Sequence, residues 1–257
     1  MRRTITRAVV AAGGAGTKMA PITRILPKEM LPVARKPILE HIVLELHAAG
    51  ITDVLFVISS CKPQIPAYFG SGAAYGMDFS YRVQDDGAGP GAPVLDAETW
   101  TRGAPFVLAF GDNLIRPAPD TKTPLQRLVN SNTNCSVLTR LLPAGEIPRH
   151  ETLLGAASAP RPHGSPYTVA VGRDLLDRSG ARWVHACAAR WVLGPYVFEA
   201  LRDCPRRPDG ELYLIDAIQR WIHAGAEVTA HPLLPTEMRF NCDNWRTYED
   251  AVAILRT

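Results

Sequence analysis

The 257-residue sequence predicts an α/β fold, with a doubly wound, mixed but mainly parallel sheet between two layers of helices. Short apolar runs occur at 7–12 (after Arg7), 54–58 and 105–110, and such runs are typical of strands buried in a parallel sheet. Helical patterns lie between several of the strand-like runs. A β-α-β-α order implies parallel strands joined by helices that cover both faces, so we expect a three-layer α/β/α architecture.

The first half of the chain alternates strands and helices. The strand at 7–12 ends in Gly13-Gly14, and Pro37 opens a helix whose apolar residues recur with a period of about 3.6 residues until Gly50 ends it. The other elements expected here are strands at 54–58, 79–83 (nearer an edge) and 105–110, a helix at 123–130 and a strand at 136–142.

The second half is less regular. A segment rich in Pro, Gly and Ala at 156–164 predicts a loop. The elements expected after it are a strand at 183–193 and helices at 195–202, 211–224 and 245–255. Since no repeat or low-complexity linker divides the chain, we predict a single domain over 1–257, with halves of about 1–115 and 116–257.

Composition excludes several classes of protein. Hydrophobic residues make up 46% and charged residues 21%, and the formal net charge is only +3, so nucleic-acid and membrane partners are not expected. No apolar run approaches the ~18 residues of a membrane span. The five cysteines are scattered and form no C-x-x-C pair, which favours a reducing compartment, and a cytoplasmic location is expected.

A glycine-rich loop follows the first strand, with the sequence Ala12-Gly13-Gly14-Ala15-Gly16-Thr17-Lys18. Glycines at this position let backbone N–H groups approach a phosphate closely. A dinucleotide fingerprint would need a third glycine where Met19 stands, and a P-loop would need Gly-Lys-Ser/Thr at its end, so both are rejected. An ordinary turn remains the alternative.

Two cations bracket the proline-stiffened segment after this loop. The chain has only five lysines, and Lys18 and Lys28 flank the segment that continues to Pro32. A nucleoside triphosphate under attack needs fixed positive charge around its phosphates. The alternative is a solvated loop, in which Lys28 would be exposed.

The conjunction of motifs resembles the sugar-1-phosphate nucleotidyltransferases, and most closely the bacterial UTP–glucose-1-phosphate uridylyltransferases. The family pattern Ala-Gly-Gly-x-Gly-Thr-Arg is matched at Ala12–Lys18, and Pro-Lys-Glu-Met-Leu-Pro at Pro27–Pro32. Lys-Pro follows at Lys36-Pro37, and Ala-Gly-Ile at 49–51. Further along, Gln84 to Gly91 resembles the family's Gln-x-x-x-x-Gly-x-Gly, the run ending in Asp112 resembles its metal-binding strand, and Gly210-Glu211 opens a segment like Gly-Glu-x-x-x-Thr-Asp-Ala-Ile.

The resemblance implies a Rossmann-like nucleotidyltransferase fold with a nucleotide-binding first half and an acceptor-binding second half. It implies transfer from UTP to a sugar 1-phosphate, giving a nucleotide sugar and pyrophosphate. Lys18, Lys28 and Asp112 would be catalytic, Asp112 would hold Mg²⁺, and Glu211 would hold the sugar. The residues that would contact the nucleotide are Ala12, Gly13, Gly14, Gly16, Thr17, Gln84 and Gly89. A homodimer or homotetramer is also implied.

Four departures from the family pattern lie mainly on the acceptor side. The arginine of Gly-Thr-Arg is Lys18, which keeps the charge but loses the bidentate fork. Phe-Asp-Cys-Gly, the source of a second metal carboxylate, is Phe240-Asn241-Cys242-Asp243, where Asp243 is the candidate replacement. Glu-Lys-Pro, whose lysine grips the sugar phosphate, is absent, and the nearest cations are Arg173 and Arg178. His150-Glu151 stands in place of a Tyr-Gly pair.

These departures leave three alternatives open. The acceptor is glucose 1-phosphate or a different phosphate, and the chain is a working enzyme or a catalytically weakened nucleotide-binding homologue. The nucleotide is UTP or dTTP, because the glycine stretch resembles the thymidylyl- and guanylyltransferases while Pro27–Pro32 resembles the uridylyltransferases.

Overall fold

A mixed β-sheet forms the centre of the protein. The computed structural model describes residues 4–84, 87–119, 121–131, 133–146, 153–157, 166–169 and 182–255. Within these ranges the strands of the sheet are β1 (Arg7–Ala12), β4 (Asp53–Ser59), β5 (Asp78–Gln84), β6 (Phe106–Phe110), β8 (Cys135–Pro143), β9 (Leu153–Ala157), β10 (Tyr167–Thr168), β11 (Trp183–Leu193) and β12 (Thr229–Pro232). Their order is β10-β12-β8-β11-β6-β1-β4-β5, and β9 pairs with β11.

Two short antiparallel ribbons flank this sheet. They are formed by β2 (Pro32–Val33) with β3 (Lys36–Pro37), and by β7 (Asn113–Arg116) with β13 (Met238–Asn241). The helices are α1 (Ile38–Ala48), α2 (Gln64–Phe69), α3 (Ala92–Asp96), α4 (Glu98–Thr101), α5 (Pro124–Val129), α6 (Tyr196–Arg202), α7 (Leu214–His223) and α8 (Trp245–Ile254).

Alternate residues of the central strands enter two different hydrophobic cores. In β1, Val10 packs with α1, α2 and α5 on one face, whereas Val9 packs with α3, α6 and α7 on the other. In β4, Phe56 and Val57 divide in the same way. Because strand side chains alternate between faces, both faces of a strand covered by helices must be apolar. The predicted three-layer α/β/α fold is therefore confirmed.

The strands that lead to the glycine loop and to Asp112 are parallel. β1 pairs in parallel with β4 and with β6, and β4 pairs in parallel with β5, so the carboxyl ends of these four strands meet at one edge. β11 runs antiparallel to both β6 and β8 and joins the two halves of the chain into one sheet.

Most predicted elements are present, with two corrections. The helix expected from Glu211 begins at Leu214, because the backbone of Leu212 bonds to Ala88 and Gly91 instead (3.0 and 2.7 Å). A loop was expected at 156–164, but its first two residues, Ala156 and Ala157, are the last residues of β9 and pair with β11. The rest of that segment lies outside the described residues.

Strand β11 carries a bulge at the centre of the molecule. Its register with β8 shifts between Cys187 and Trp191, and Ala189 there has φ = 60°. The bulge turns the side chain of Arg190 into the interior, where it is fully buried.

In the described part of the chain, every helix is too short or too polar to cross a membrane.

Candidate active site

The parallel strands deliver the functional side chains to one edge of the sheet. β1 ends at Ala12 and continues into the glycine loop, β5 ends at Gln84, and β6 leads to Asp112. Ligands of open α/β sheets bind beyond the carboxyl ends of the strands, and these residues lie there.

A first cavity of about 340 Å³ opens at this edge. It is bounded by the glycine loop, by the turn that follows β5, and by the extended segment before α7. Its predicted site residues are Gly13, Gly14, Lys28, Gln84, Gly89, Asp112 and Glu211. The turn and the extended segment are tied together by the backbone bonds of Leu212, which hold Gly89 beside Glu211.

Gln84 packs directly on the glycine loop. A Cβ atom at Gly13 would lie 2.4 Å from Gln84 Nε2, so only glycine permits this approach. Gln84 Oε1 is buried and has no hydrogen-bond partner among the described residues. Gln84 also lines the cavity, so its amide is a candidate to contact a ligand there.

Lys28 and Asp112 form an ion pair on the wall of the cavity, and their side chains are 12% and 18% exposed. Burial would lower the pKa of Lys28, but the charges of Asp112 and Glu29 outweigh it and raise that pKa. Burial would likewise raise the pKa of Asp112, but the charge and hydrogen bond of Lys28 outweigh it and lower that pKa. Both groups are therefore charged at neutral pH. Lys28 is not an exposed loop lysine, as the sequence led us to expect, because the ion pair draws its side chain inward.

A polar network behind Asp112 was not predicted. Asn113 donates to Asp112 Oδ1 (2.6 Å) and accepts from Arg239 Nε (2.7 Å). The buried Arg190 donates to the Asn113 carbonyl (2.8 Å) and pairs with Glu45 (2.7 Å). These partners are distant in the sequence, so no local pattern pointed to them, although Arg239 directly precedes the predicted Phe240–Asp243 motif.

A second cavity of about 330 Å³ lies on the other side of the ion pair. It shares Lys28, Pro90, Phe110 and Asp112 with the first cavity. The further residues that line it include Asn113, Cys187, Trp191, Tyr213, Arg239, Asn241 and Asp243. Lys28 and Asp112 thus stand where the two cavities meet.

The β7–β13 ribbon brings Asn241 and Asp243 to Asp112. Asn241 pairs with Asn113 in the ribbon, and Cys242 N donates to Asp112 O (2.8 Å). Lys18 reaches across and donates to Asp243 Oδ2 (2.7 Å), while its own side chain is 58% exposed. Burial would raise the pKa of Asp243, but the bonds from Lys18 and Asn244 outweigh it and lower that pKa.

The remaining predicted residues take other positions. Ala12, Gly16 and Thr17 line neither cavity. Ala12 O instead accepts a hydrogen bond from the buried Lys62, a residue that the predictions did not include (2.7 Å). Arg173 lies outside the described residues.

The donor set fits a divalent cation only if a ligand completes it. Asp112, Asp243 and the amide of Asn241 line one cavity, but the described residues contain no cluster of three acidic, His or Cys side chains that could enclose a metal. Mg²⁺ is commonly held by one or two carboxylates together with substrate phosphates and water, and two carboxylates kept ionised by their low pKa match that arrangement.

The Nucleotidyl transferase family model matches residues 7–147, more than half of the chain. The chain belongs to this family. The match begins at β1 and covers Lys18, Lys28, Gln84 and Asp112, and the resemblance drawn from the motifs is confirmed.

Two curated relatives show how far the similarity extends. A "Glucose-1-phosphate thymidylyltransferase" of Streptomyces antibioticus is 31% identical over 227 residues, which are 86% of this chain and 59% of the relative. A "UTP--glucose-1-phosphate uridylyltransferase" of Staphylococcus epidermidis is 29% identical over 239 residues, which are 84% of this chain and 81% of the relative. The chain therefore spans less than two thirds of the first relative and about four fifths of the second.

Solved structures share its fold. A UDP-glucose pyrophosphorylase complexed with UDP-glucose superposes with a TM-score of 0.82 at 22% identity, covering 97% of this chain and 98% of the other. A UTP-bound UGPase from Acinetobacter baumannii gives 0.78 at 20% identity, covering 97% and 93%.

Proposed function

We propose that this nucleotidyltransferase transfers the uridylyl group of UTP to glucose 1-phosphate and releases pyrophosphate, with dTTP as the other candidate donor. The observation that carries the proposal is the Lys28–Asp112 pair, which stands between two cavities of similar size. A two-substrate transfer needs such an arrangement, with charged groups placed where the substrates meet.

The first cavity suits the nucleotide. Gln84 lines this cavity, and its amide has both the acceptor and the donor that a uracil or thymine edge needs. The glycine loop, with Gly13 and Gly14 on the cavity wall, supplies backbone N–H groups for the phosphates. The relatives named for UTP and for glucose-1-phosphate thymidylyl transfer support either pyrimidine nucleotide.

The second cavity suits the sugar phosphate. Arg239 is the cation that this cavity has in addition to Lys28, and we propose that it contacts the acceptor phosphate. Glu211 and Tyr213 belong to one extended segment and line the first and second cavities, respectively, so a sugar between the cavities would lie within reach of both. Arg173 stays a predicted acceptor contact.

The reaction is a single displacement. An oxygen of the acceptor phosphate forms a bond to the α-phosphorus, and the bond from that phosphorus to the bridging α–β oxygen breaks, so pyrophosphate leaves with the electron pair. The acceptor is already an anion and needs no general base. Lys28, which its raised pKa keeps protonated, would stabilise the charge that develops at the α-phosphate. Lys18 would leave Asp243 to neutralise the pyrophosphate.

Asp112 and Asp243, with the amide oxygen of Asn241, would hold Mg²⁺ beside the phosphates. A bound Mg²⁺ would supply further positive charge to the phosphate oxygens.

A second function is favoured by one observation. Asn241 is neutral where the resemblance leads us to expect a carboxylate, and it lines the second cavity beside Asp112. This motivates a nucleotide-binding homologue with little or no turnover.

A screen of pyrophosphate release tests the two functions. UTP, dTTP, CTP, ATP and GTP are each combined with glucose 1-phosphate and other sugar 1-phosphates in the presence of Mg²⁺. We expect release with a pyrimidine nucleotide and glucose 1-phosphate. Nucleotide binding without release on every acceptor would instead establish the binding homologue.

A further inference from the structure

A fully enclosed ion pair lies directly beneath the glycine loop. Glu29 and Lys62 are 1% and 3% exposed. Lys62 Nζ donates to both carboxylate oxygens of Glu29 (2.9 Å each) and to Ala12 O (2.7 Å), so all three of its N–H bonds are used within the protein. Neither side chain has a role in the reaction proposed above.

The pair joins three segments, two of which, at the end of β1 and in the turn of Lys28, reach the first cavity. Lys62 follows β4, Ala12 is the last residue of β1 before the glycine loop, and Glu29 lies in a single 3₁₀ turn, Lys28–Met30. Glu29 also packs near the residue before Asp112, since a Cβ atom at Gly111 would lie 3.3 Å from Glu29 Cγ and 3.1 Å from Ala12 Cβ. Any shift of Glu29 is therefore transmitted to the glycine loop and to both members of the Lys28–Asp112 pair.

Lys28 depends on Glu29 because the two are neighbours in one turn. The 3₁₀ turn is too short to hold its position by its own hydrogen bonds. Its backbone bonds are Met30 N to Pro27 O and Leu31 N to Lys28 O (2.8 and 3.1 Å). The bonds that Glu29 accepts from Lys62 anchor the turn on one side, and the side chain of Lys28 reaches Asp112 on the other.

A gain in folding stability does not explain well why the protein contains this buried ion pair. Desolvating two charges often costs as much as their attraction returns, and apolar replacements of buried ion pairs are often neutral or stabilising. Position is a better reason, since a ~1 Å misplacement of a reacting group can lower a rate by about 10²-fold.

We propose that Glu29 and Lys62 are positioning residues, which set the glycine loop and Lys28 against the α-phosphate of the nucleotide. The part of this inference that is measured by kcat rests on the proposed function, whereas the part that is measured by the chemical labelling of Lys28 does not. Glu29 borders the first cavity next to Lys28, whereas Lys62 lines neither cavity and reaches the site only through Glu29 and Ala12.

The test replaces the pair with apolar side chains of similar length, in Glu29→Met/Lys62→Met. We expect the free energy of unfolding to be unchanged or higher, kcat to fall by about 10²-fold, and KM for the nucleotide to change much less. Acylation of Lys28, followed by mass spectrometry of the labelled peptide, should become faster because its turn is no longer anchored and because the charge of Glu29, which raises the pKa of Lys28, is lost. Labelling in a variant that keeps both charges, Lys62→Arg, separates the two causes.

The matched control is Arg127→Met/Glu237→Met. This pair is bidentate (2.7 and 2.6 Å), and Glu237 also accepts from Leu234 N (2.8 Å), but neither residue lines a cavity of the site. We expect its kcat and Lys28 labelling to match the wild type. Lys62→Arg is the second variant: it keeps the charge but the longer fork displaces Glu29, so kcat should fall although the protein folds.

Wild-type kcat and Lys28 labelling in both site variants would overturn the inference. The inference would also be overturned if the site variant and the control lost folding stability and kcat together and by similar amounts. The pair would then be a structural support only. If the wild type releases no pyrophosphate with any substrate pair, the proposed function fails, and the labelling of Lys28 alone decides about the positioning pair.

Discussion

Lys28 and Asp112 already neutralise each other before any substrate is present. A triphosphate brings negative charge to the same place, so Lys28 must exchange at least part of its contact with Asp112 for a phosphate oxygen. The carboxylate then becomes available to a cation that arrives with the nucleotide. Lys18 and Asp243 form a second pair with the same property. Binding of the substrate would thus rearrange the Lys28–Asp112 and Lys18–Asp243 pairs, and no side chain would have to change its protonation state.

Gln84 should control the choice of base more than the rate. We expect Gln84→Ala to reduce the preference for UTP over ATP and to lower kcat for UTP only modestly, since a site discriminates by leaving its polar groups unpaired with the wrong base. The measurement is kcat/KM for each nucleotide. Gln64→Ala is the control, because its Oε1 is also buried without a partner but it lies on α2, outside both cavities. An unchanged UTP preference in Gln84→Ala would remove Gln84 from base recognition.

Substitutions at Asp243 and at Asn241 test which side chain holds the metal together with Asp112. If Asp243 supplies the second carboxylate, Asp243→Asn should weaken Mg²⁺ activation, because a neutral amide attracts the cation less strongly than a carboxylate does. Asn241→Asp should then be neutral or harmful, since a third carboxylate beside Asp112 adds repulsion. A Mg²⁺ titration of turnover compares both variants with the wild type. A rise in Mg²⁺ affinity and turnover in Asn241→Asp would indicate a weakened enzyme instead.

At the scale of a single element, the bulge in β11 helps to hold the site in place. It turns Arg190 inward, where the guanidinium holds the carbonyl of Asn113 and so the segment that follows Asp112. The bulge requires a left-handed residue, and the sequence places Ala189 there (φ = 60°). An L-residue in that region costs about 1–2 kcal/mol, whereas glycine adopts it freely.

Ala189→Gly should therefore be neutral or stabilise the protein by up to ~1 kcal/mol. The control is Ala188→Gly in the same bulge, a buried position without a positive φ, which should destabilise by about 1 kcal/mol because it loses a packed methyl and gains chain entropy in the unfolded state. Urea denaturation measures both free energies of unfolding. Equal losses in the two variants would show that φ at Ala189 is not strained.

The elements could be predicted from local patterns, and the contacts between them could not. Apolar runs and alternation gave β1, β4 and β6, because a strand buried on both faces must be apolar. The start of α7 at Leu214 could not be predicted, since Leu212 is kept extended by bonds to residues 88 and 91. The pairs Lys62–Glu29 and Arg239–Asn113 join residues 33 and 126 positions apart, and a single sequence holds no signal for such pairs.

At the scale of the whole molecule, the sheet crosses the predicted boundary between the halves. β6, from the first half, pairs with β11, from the second, and β11 pairs with β8. The first cavity also draws on both halves, with Gly13, Gln84 and Asp112 from one and Glu211 from the other. A nucleotide bound there would contact both.

We therefore expect a single cooperative unfolding transition in urea, as the predicted single domain requires. The fluorescence of the tryptophans and the far-ultraviolet circular dichroism should give the same midpoint, because β6 and β11 share both hydrophobic cores with the helices around them. UTP with Mg²⁺ should move the whole transition to higher urea concentration, since the ligand binds only the folded state. At a UTP concentration of 100 times Kd, the free energy of unfolding should rise by about 2.7 kcal/mol. Two transitions, of which UTP shifts only one, would show instead that the halves fold independently and that the nucleotide site belongs to the first half alone.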